Sequence, residues 1–150
     1  MVDVGATVAD VTVKDDSGAE VRLTEIPRPF VLYFYPKADT PGCTNEGGQF
    51  RDLYAQFKDS GTEIIGVSRD SVEAQRAFKE KYAFPFRLLA DVDSNVCDAF
   101  GTIVERERDG VKSMGVARAT FLIGKSGTVE KVWPAVSVEG HGADVLAYVL

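Results

Sequence analysis

The sequence contains few residues that bind metals or form crosslinks. Only two cysteines, Cys43 and Cys97, and one histidine, His141, occur among its 150 residues. Two cysteines cannot build a disulfide-stabilised scaffold, and a zinc site made of cysteine and histidine needs about four ligands. We therefore expect no metal ion and no bound cofactor. A single cysteine can still act as a nucleophile, so the composition leaves that chemistry open.

Positive charge is also scarce. Lysine and arginine number 17 against 23 aspartates and glutamates, which gives a net charge of −6. A protein that binds nucleic acid needs a basic face for the phosphates. The sequence therefore predicts no nucleic-acid partner.

Long apolar segments are missing as well. The longest strongly apolar run, residues 30–35, is far shorter than the roughly 20 residues that a helix needs to cross a bilayer. Near the N-terminus, Asp3 stands where a secretion signal would carry a basic residue. These observations predict no membrane partner and a cytoplasmic location, where free thiols stay reduced.

What remains is the composition of an ordinary globular domain. Apolar residues make up 45% of the chain and charged residues 27%, which is close to the average for folded proteins. A chain of this length buries roughly 68–70% of its unfolded surface and needs no crosslinks to fold. No repeat, low-complexity tract or linker divides it. We expect one domain over residues 1–150.

Hydrophobic runs and turn residues predict a series of strands. The predicted strands are residues 11–14, 20–23, 30–35, 63–68, 86–90, 119–123 and 128–133. The first two flank a turn-forming cluster and predict an N-terminal β-hairpin, and the last two predict a second hairpin.

Helices are predicted between these strands. Phe50, Leu53, Tyr54 and Phe57 have helical spacing, and Gly61 suits the end of that helix. Further helices are predicted over residues 71–82, 94–101 and 143–150, the first capped by Asp70 with Glu73 and the second by Asp93 or Ser94. The order predicts an α/β protein with a central mixed sheet flanked by helices, as in the thioredoxin-like fold.

Cys43 lies at the beginning of the helix that follows the buried strand 30–35. The first N–H groups of a helix have no partner inside the helix, and the helix dipole places partial positive charge there. Both effects favour the thiolate, which is the nucleophilic form. Pro41 suits the first turn. Thr40 has a hydroxyl that can cap the helix, or donate to the sulfur or to a bound oxygen.

The two cysteines differ in their surroundings. Free cysteines are more often inert packing residues than catalytic ones, and the apolar context of Cys97 at residues 95–100 fits packing. The polar, glycine-containing context of Cys43 at residues 39–44 does not suit a core position. On context alone, catalysis and packing both remain open for Cys43.

A resemblance to a known family covers nearly the whole chain. Residues 35–46 read Tyr-Pro-Lys-Ala-Asp-Thr-Pro-Gly-Cys-Thr-Asn-Glu and are followed by Phe-Arg-Asp at 50–52. This stretch resembles the active-site region of peroxiredoxins, specifically the subfamily called PrxQ or bacterioferritin comigratory protein. The family motif Pro-x-x-x-Thr-x-x-Cys is met by Pro36, Thr40 and Cys43. Residues 84–91 and 118–123 also match the subfamily in order and spacing.

The resemblance implies a thiol-dependent peroxidase. Cys43 would attack the O–O bond of hydrogen peroxide or an organic hydroperoxide and become a sulfenic acid. Thr40 would hydrogen-bond the sulfur and the peroxide, and Arg118 would stabilise the thiolate and orient the peroxide oxygens. Pro36 would shield the sulfur from water, and the backbone N–H groups of Gly42 and Cys43 would help to bind the peroxide.

The sequence departs from the family in its resolving cysteine. Many members carry one five residues after the peroxidatic cysteine, where this chain has Gly48, and others carry it in the following helix, which here contains none. We therefore expect a one-cysteine mechanism in which an external thiol reduces the sulfenic acid. Thioredoxin, glutaredoxin with glutathione, and another low-molecular-weight thiol are all candidates. Cys97 is the only internal candidate for a resolving role.

Two glycines near Cys43 have two interpretations. Gly47 and Gly48 lie in the first turns of the helix, where each costs about 1 kcal/mol relative to alanine. Either they let this end of the helix unwind and expose the sulfenic acid, or they allow close packing.

Two other functions compete with a peroxidase. A disulfide reductase on the same fold needs Cys-x-x-Cys, and Glu46 occupies the position of the second cysteine. A redox sensor or relay that uses the same oxidation of Cys43 remains the alternative, distinguished by its failure to turn over with a reductant. The resemblance also implies a monomer or a weak homodimer.

Four further residues receive structural interpretations. Glu46 either satisfies backbone donors or orients an arginine, and it stays outside the predicted catalytic set. Arg51 either supports the site or forms a solvated ion pair. Trp133 is predicted to pack against the core and His141 to lie on the surface.

Overall fold

The computed structural model describes residues 1–150. Its strands are β1 (Thr12–Asp15), β2 (Glu20–Arg22), β3 (Phe30–Phe34), β4 (Glu63–Ser68), β5 (Arg87–Ala90), β6 (Ile103–Arg108), β7 (Val111–Val116), β8 (Ala119–Ile123) and β9 (Val129–Trp133). Its helices are α1 (Pro41–Asp59), α2 (Val72–Tyr82), α3 (Asn95–Phe100) and α4 (His141–Val149). A short 3-10 turn covers Leu23–Glu25.

Seven strands form one mixed sheet in the order β2-β1-β5-β4-β3-β8-β9. Strands β3, β4 and β5 pair in parallel, and the remaining pairs are antiparallel. The parallel strands are joined through α1 and α2, as the strand–helix–strand pattern of the sequence predicts. The predicted thioredoxin-like α/β fold and both predicted hairpins are confirmed.

Strand β3 runs through the centre of the sheet and is buried on both faces. Successive side chains of a strand point to opposite faces, so Tyr33 and Phe34 belong to different hydrophobic clusters. The cluster that contains Tyr33 also contains Cys43 and lies under α1, α2 and α4; we call it the α1-side cluster. The cluster that contains Phe34 includes Cys97 and lies under α3; we call it the α3-side cluster.

Helix α1 forms as its apolar spacing predicts, and it begins at Pro41 and ends at Asp59, two residues before Gly61. Its Phe50 and Phe57 are fully buried in the α1-side cluster. A Cβ atom at Gly47 would lie 2.6 Å from Cζ of Phe84, so this glycine permits close packing. A Cβ atom at Gly48 would meet only the Arg51 guanidinium, at 3.5 Å, which is an ordinary contact.

Two predicted helix caps are wrong. Helix α2 is capped by Ser71, whose Oγ accepts from the Ala74 N–H at 3.1 Å, and not by Asp70. Asp70 instead accepts from the Ser68 hydroxyl and from the Ala38 N–H, which ties it to the loop before α1.

Helix α3 is capped by Asp91, a residue that precedes the helix in the chain. Neither Asp93 nor Ser94 places its side chain on the free N–H groups; the Asp91 carboxylate accepts from the N–H groups of Val96 and Cys97, at 3.0 and 2.8 Å. The carboxylate at the end of β5 therefore fixes the position of Cys97.

The hairpin β6–β7 was not predicted. It forms a separate two-stranded sheet, joined by Asp109 and Gly110 at φ +54° and +78°. Asp-Gly is a strong signal for the two-residue turns of hairpins. The strands themselves carry little apolar alternation, because most of their side chains are exposed on both faces.

No helix of the structure combines the length and the apolar character that crossing a membrane requires.

Candidate active site

The loop after β3 delivers Cys43 to the first turn of α1. Thr40 occupies the N-cap position in an extended conformation, and Pro41 is the first helical residue. The N–H groups of Gly42 and Cys43 donate to no protein acceptor, as expected at the start of a helix. Cys43 is only 1% exposed, which is more buried than its polar sequence context suggested. A buried thiol with two free backbone donors beside it can bind a small anionic or polar ligand.

Arg118 reaches Cys43 from the residue just before β8. Its Nη2 lies 3.4 Å from Sγ of Cys43, and its Nη1 donates to Oε1 of Glu46 at 2.9 Å. Burial alone would lower the pKa of the guanidinium, but Glu46 and Cys43 outweigh that effect and raise it. Arg118 therefore stays charged and contributes a fixed cation to the sulfur. The structure brings together this predicted pair, which lies 75 residues apart in the chain.

Gly42 makes room for the guanidinium. A Cβ atom at this position would lie 3.1 Å from Nη2 of Arg118, tighter than most packing contacts. A glycine before the cysteine thus permits the arginine to approach both the sulfur and the first turn of α1.

The Thr40 hydroxyl has a different partner from the ones predicted. It donates to the backbone carbonyl of Lys37 at 2.8 Å and neither caps α1 nor donates to the sulfur. Its oxygen lone pairs remain available as acceptors. Pro36 follows β3 and lies half-buried in the same loop.

Glu46, which is outside the catalytic set predicted from the sequence, lies inside the site, and of its two interpretations the structure supports the one in which it orients an arginine. It follows Cys43 by three residues on the same face of α1 and is fully buried. Burial raises the pKa of its carboxyl to about 7, although the nearby Arg118 acts to lower it. Its Oε1 accepts from Arg118, whereas its Oε2 has no hydrogen-bond partner. The spacing of three residues was the available signal for a shared face.

His141 is buried, so the prediction of a surface position is wrong. It is the first residue of α4 and only 3% exposed. Its Nε2 lies 2.8 Å from the Thr120 hydroxyl and 4.0 Å from Oε2 of Glu46. Burial lowers the pKa of its imidazole to about 4, and the charge of Arg118 lowers it further, against an opposing effect of Asp144. His141 is therefore neutral around pH 7.

Helix α4 is attached to α1 by an amide side chain. Gln49 accepts from the Gly142 N–H at 2.8 Å and donates to the Val138 carbonyl at 2.7 Å. These bonds hold the start of α4, and with it His141, against the active-site helix. Trp133 packs against the α1-side cluster as predicted.

Arg51 does not contribute to the site. It donates to the Tyr82 carbonyl at 2.9 Å and pairs with Asp52 at 3.0 Å. Its contacts connect α1 to the end of α2.

Cys97 is not brought near Cys43. It is fully buried in the α3-side cluster, across the sheet from the α1-side cluster that contains Cys43. Burial and the neighbouring Asp91 raise the pKa of its thiol to about 12. Such a thiol is protonated and inaccessible, which are the properties of a packing residue.

Glu46 and His141 predict opposing effects of pH on stability. The Glu46 carboxyl has a pKa of about 7 when folded against 4.5 as a free group, so it lowers the free energy of unfolding as pH rises between these values. The His141 pKa falls from 6.5 to about 4 on folding, so this group raises the free energy of unfolding as pH rises between about 4 and 6.5. In the wild type the two contributions oppose each other.

Single substitutions should separate these contributions. We expect Glu46→Gln to gain stability relative to wild type, by about 3 kcal/mol, as pH rises from about 4.5 to 7, and His141→Gln to lose a similar amount relative to wild type from about 4 to 6.5. Urea unfolding over a pH series, with each variant subtracted from wild type, measures both slopes. Difference curves that stay flat with pH would contradict the assigned protonation states.

Comparisons with known proteins agree with this geometry. Residues 4–132 match the model of the AhpC/TSA family. The putative peroxiredoxin bcp of Coxiella burnetii is 43% identical over 146 residues, which cover 97% of each chain. The peroxiredoxin Bcp of Bacillus subtilis is 41% identical over 146 residues, 97% of this chain and 93% of the relative.

Two solved structures also superpose on nearly the whole of this chain. The bacterioferritin comigratory protein of Xanthomonas campestris, described for its alkyl peroxide reduction activity, superposes with a TM-score of 0.91 at 37% identity, covering 98% of this chain and 97% of that one. A PrxQ mutant of Xylella fastidiosa superposes with a TM-score of 0.93 at 34% identity, covering 99% and 96%.

Proposed function

This chain belongs to the AhpC/TSA family and is a peroxiredoxin, a thiol-dependent peroxidase, and we propose that Cys43 is its peroxidatic nucleophile. The observation that carries the proposal is the 3.4 Å contact between Nη2 of Arg118 and Sγ of Cys43 at the start of α1. A fixed cation and free backbone donors around one sulfur favour its thiolate and can bind the oxygens of a peroxide.

In the proposed reaction, the thiolate of Cys43 attacks one oxygen of a hydroperoxide. The O–O bond breaks, the sulfur becomes a sulfenic acid, and the other oxygen leaves as hydroxide or alkoxide and is protonated. Arg118 and the N–H groups of Gly42 and Cys43 stabilise the negative charge that moves from sulfur to oxygen. The peroxides that we propose as substrates are hydrogen peroxide and organic hydroperoxides.

Thr40 and Pro36 have supporting roles in this proposal. Because the Thr40 hydroxyl proton is held by the Lys37 carbonyl, its oxygen is oriented to accept a hydrogen bond from the peroxide O–H. Pro36, half-buried in the same loop, offers no N–H donor and covers the approach to the sulfur.

We propose a one-cysteine mechanism for the second half of the cycle. Position 48 and helix α2 hold no cysteine, and Cys97 is buried in the other cluster with a thiol pKa of about 12. An external thiol would attack the sulfenic sulfur and release water, and a second thiol would release the reduced Cys43 with an external disulfide. Thioredoxin, glutaredoxin with glutathione, and other low-molecular-weight thiols all supply that chemistry.

The need to regenerate a free thiol at Cys43 also bears on the compartment in which the protein works. A catalyst that returns to a free thiol in every cycle suits a reducing compartment, and we propose the cytoplasm. We also propose that the chain works as a monomer or a weak homodimer, since every residue assigned to the reaction belongs to one chain.

Mass spectrometry after one equivalent of peroxide tests the one-cysteine mechanism. We expect a gain of one oxygen on Cys43 in the wild type and in Cys97→Ser, and equal steady-state turnover of the two proteins with an external thiol. A loss of two hydrogens with a Cys43–Cys97 linked peptide would overturn the mechanism. A single oxidation without steady-state turnover, with any of the three reductant classes, would favour a redox sensor or relay.

A further inference from the structure

The active site contains two acidic groups and one cation. The guanidinium of Arg118 contacts Sγ of Cys43 through one nitrogen and Oε1 of Glu46 through the other. Cys43 is 1% exposed and Glu46 is fully buried. Both acids thus depend on the same positive charge, in a site where Arg118 is the partly exposed member, with 18% of its side chain accessible.

The other elements packed against Glu46 offer no second cation. From β3, the Tyr33 hydroxyl is buried and has no hydrogen-bond partner, and burial holds its pKa well above 10, so it is neutral. From α4, His141 is buried against the Thr120 hydroxyl and is neutral. Oε2 of Glu46 faces His141 at 4.0 Å and accepts no hydrogen bond. A carboxylate oxygen left without donors in a buried site is poorly stabilised.

The electrostatic balance favours one negative charge in this site. If Cys43 and Glu46 were both ionised, Arg118 would leave one buried negative charge uncompensated, which is strongly unfavourable. If one of them holds a proton, the site is neutral. A negative charge on one of these acids therefore disfavours a negative charge on the other.

We propose that Glu46 gives up a proton when Cys43 is oxidised, so that the charge of the buried site does not change during the peroxide reaction. In the reactive form, Cys43 is the thiolate that pairs with Arg118, and Glu46 is protonated. After oxidation the sulfenic acid is neutral, and Arg118 pairs with an ionised Glu46. This inference rests on the proposed role of Cys43 and adds a role for Glu46.

Atoms and charges balance in this scheme. The electron pair of the thiolate forms the S–O bond, the O–O bond breaks, and its electron pair leaves on hydroxide or alkoxide. The proton released from Glu46 compensates the proton that converts this leaving group to water or alcohol. The reaction therefore takes up no net proton from solution.

The ionisation of Glu46 lies in the range that the scheme requires. Burial raises the pKa of its carboxyl to about 7 even with Arg118 beside it, and Cys43 makes no contribution to that value. A thiolate that shares the guanidinium raises the pKa of Glu46 further, and oxidation of Cys43 to a neutral sulfenic acid removes this effect. Slightly above neutral pH, that change moves one proton.

Infrared difference spectroscopy tests the proposal on the whole protein. Reduced protein at about pH 7.5, slightly above the pKa of about 7 that burial and Arg118 give Glu46, is treated with one equivalent of peroxide, and mass spectrometry confirms the oxygen on Cys43. We expect the C=O band of a protonated carboxylic acid to disappear on oxidation. Glu46→Gln should lack this band loss, and Glu80→Gln, an exposed control on α2, should keep it.

The outcomes separate this inference from the proposed function. A sulfenic acid on Cys43 with an unchanged carboxylic acid band overturns the inference and leaves the role of Cys43 standing, as does a band loss that persists in Glu46→Gln. An absence of oxygen on Cys43 overturns both.

A second variant supplies a test that requires no peroxide. Cys43→Ser replaces the thiolate by a neutral hydroxyl, so Glu46 should ionise more readily than in the reduced wild type. We expect carbon-13 NMR to show its titration midpoint at least about one pH unit lower, a tenfold change in proton affinity. Equal midpoints in the two proteins would overturn the inference.

Discussion

Cys43→Ser is expected to reduce kcat/KM for hydrogen peroxide by at least about a thousandfold. Serine matches cysteine closely in shape, but its hydroxyl does not ionise beside Arg118 and is a much weaker nucleophile towards an O–O bond. Because Cys43 is buried and contacts only the guanidinium among charged groups, the variant should fold normally. Stopped-flow consumption of peroxide measures the loss.

Cys97→Ser is the matched control for that experiment. It makes the same chemical change in the other buried cysteine, on the opposite side of the sheet, and should retain the wild-type rate. Undiminished peroxide consumption in Cys43→Ser, or an equal loss in both variants, would remove Cys43 from the reaction.

Arg118→Met should lower kcat/KM by about a hundredfold or more. The substitution keeps a long side chain but removes the cation that lies 3.4 Å from the sulfur and the donor to Glu46. Charge that develops on the leaving oxygen then has only backbone donors to stabilise it. Competition kinetics against a reference peroxidase measure the change, and Arg118→Lys should recover part of it because lysine restores charge without the two-nitrogen fork.

Stability must be separated from catalysis in this variant. Removing Arg118 leaves Glu46 buried without its cation, and breaking a buried ion pair is destabilising by about 3–5 kcal/mol when the remaining charge persists. The double variant Arg118→Met with Glu46→Gln removes that charge. Recovery of peroxidase activity together with stability in the double variant would show that Arg118 has only a structural role.

The local part of the site could be predicted from the sequence. A buried strand, a proline-containing loop and a helix start place Thr40, Gly42 and Cys43 in one short segment, and the structure keeps them there. The contact with Arg118 spans 75 residues. Periodicity and capping describe neighbours along the chain, so only the family resemblance indicated this arginine.

The sequence did not indicate the burial of two polar groups, Glu46 and His141, because that burial depends on packing between elements. The spacing of three residues puts Glu46 on the Cys43 face of α1, but its burial follows from the sheet on which that face packs. His141 is buried because Gln49 attaches the start of α4 to α1. Neither contact leaves a periodic signal in the sequence.

The exposed hairpin β6–β7 was also hard to predict, because strands that bury little leave no hydrophobic pattern in the sequence. The hairpin β6–β7 buries few side chains, so its strands lack the alternation that burial of one face imposes. Its Asp109-Gly110 turn was the only strong signal. The caps of α2 and α3 were misassigned because several short polar residues compete for each helix start, and backbone geometry decides between them.

The depth of the Cys43 sulfur separates the two half-reactions by the size of the reagent. A peroxide of two oxygens can reach a sulfur that is 1% exposed. A reductant of the size of thioredoxin can contact this sulfur only after the beginning of α1 moves outward. Gly47, one turn further along α1, packs on the ring of Phe84 without space for a methyl group, so this contact resists any movement that extends beyond the first turn. For a protein reductant, the frequency with which the beginning of α1 opens sets an upper limit on the rate of recovery, however reactive the reductant is.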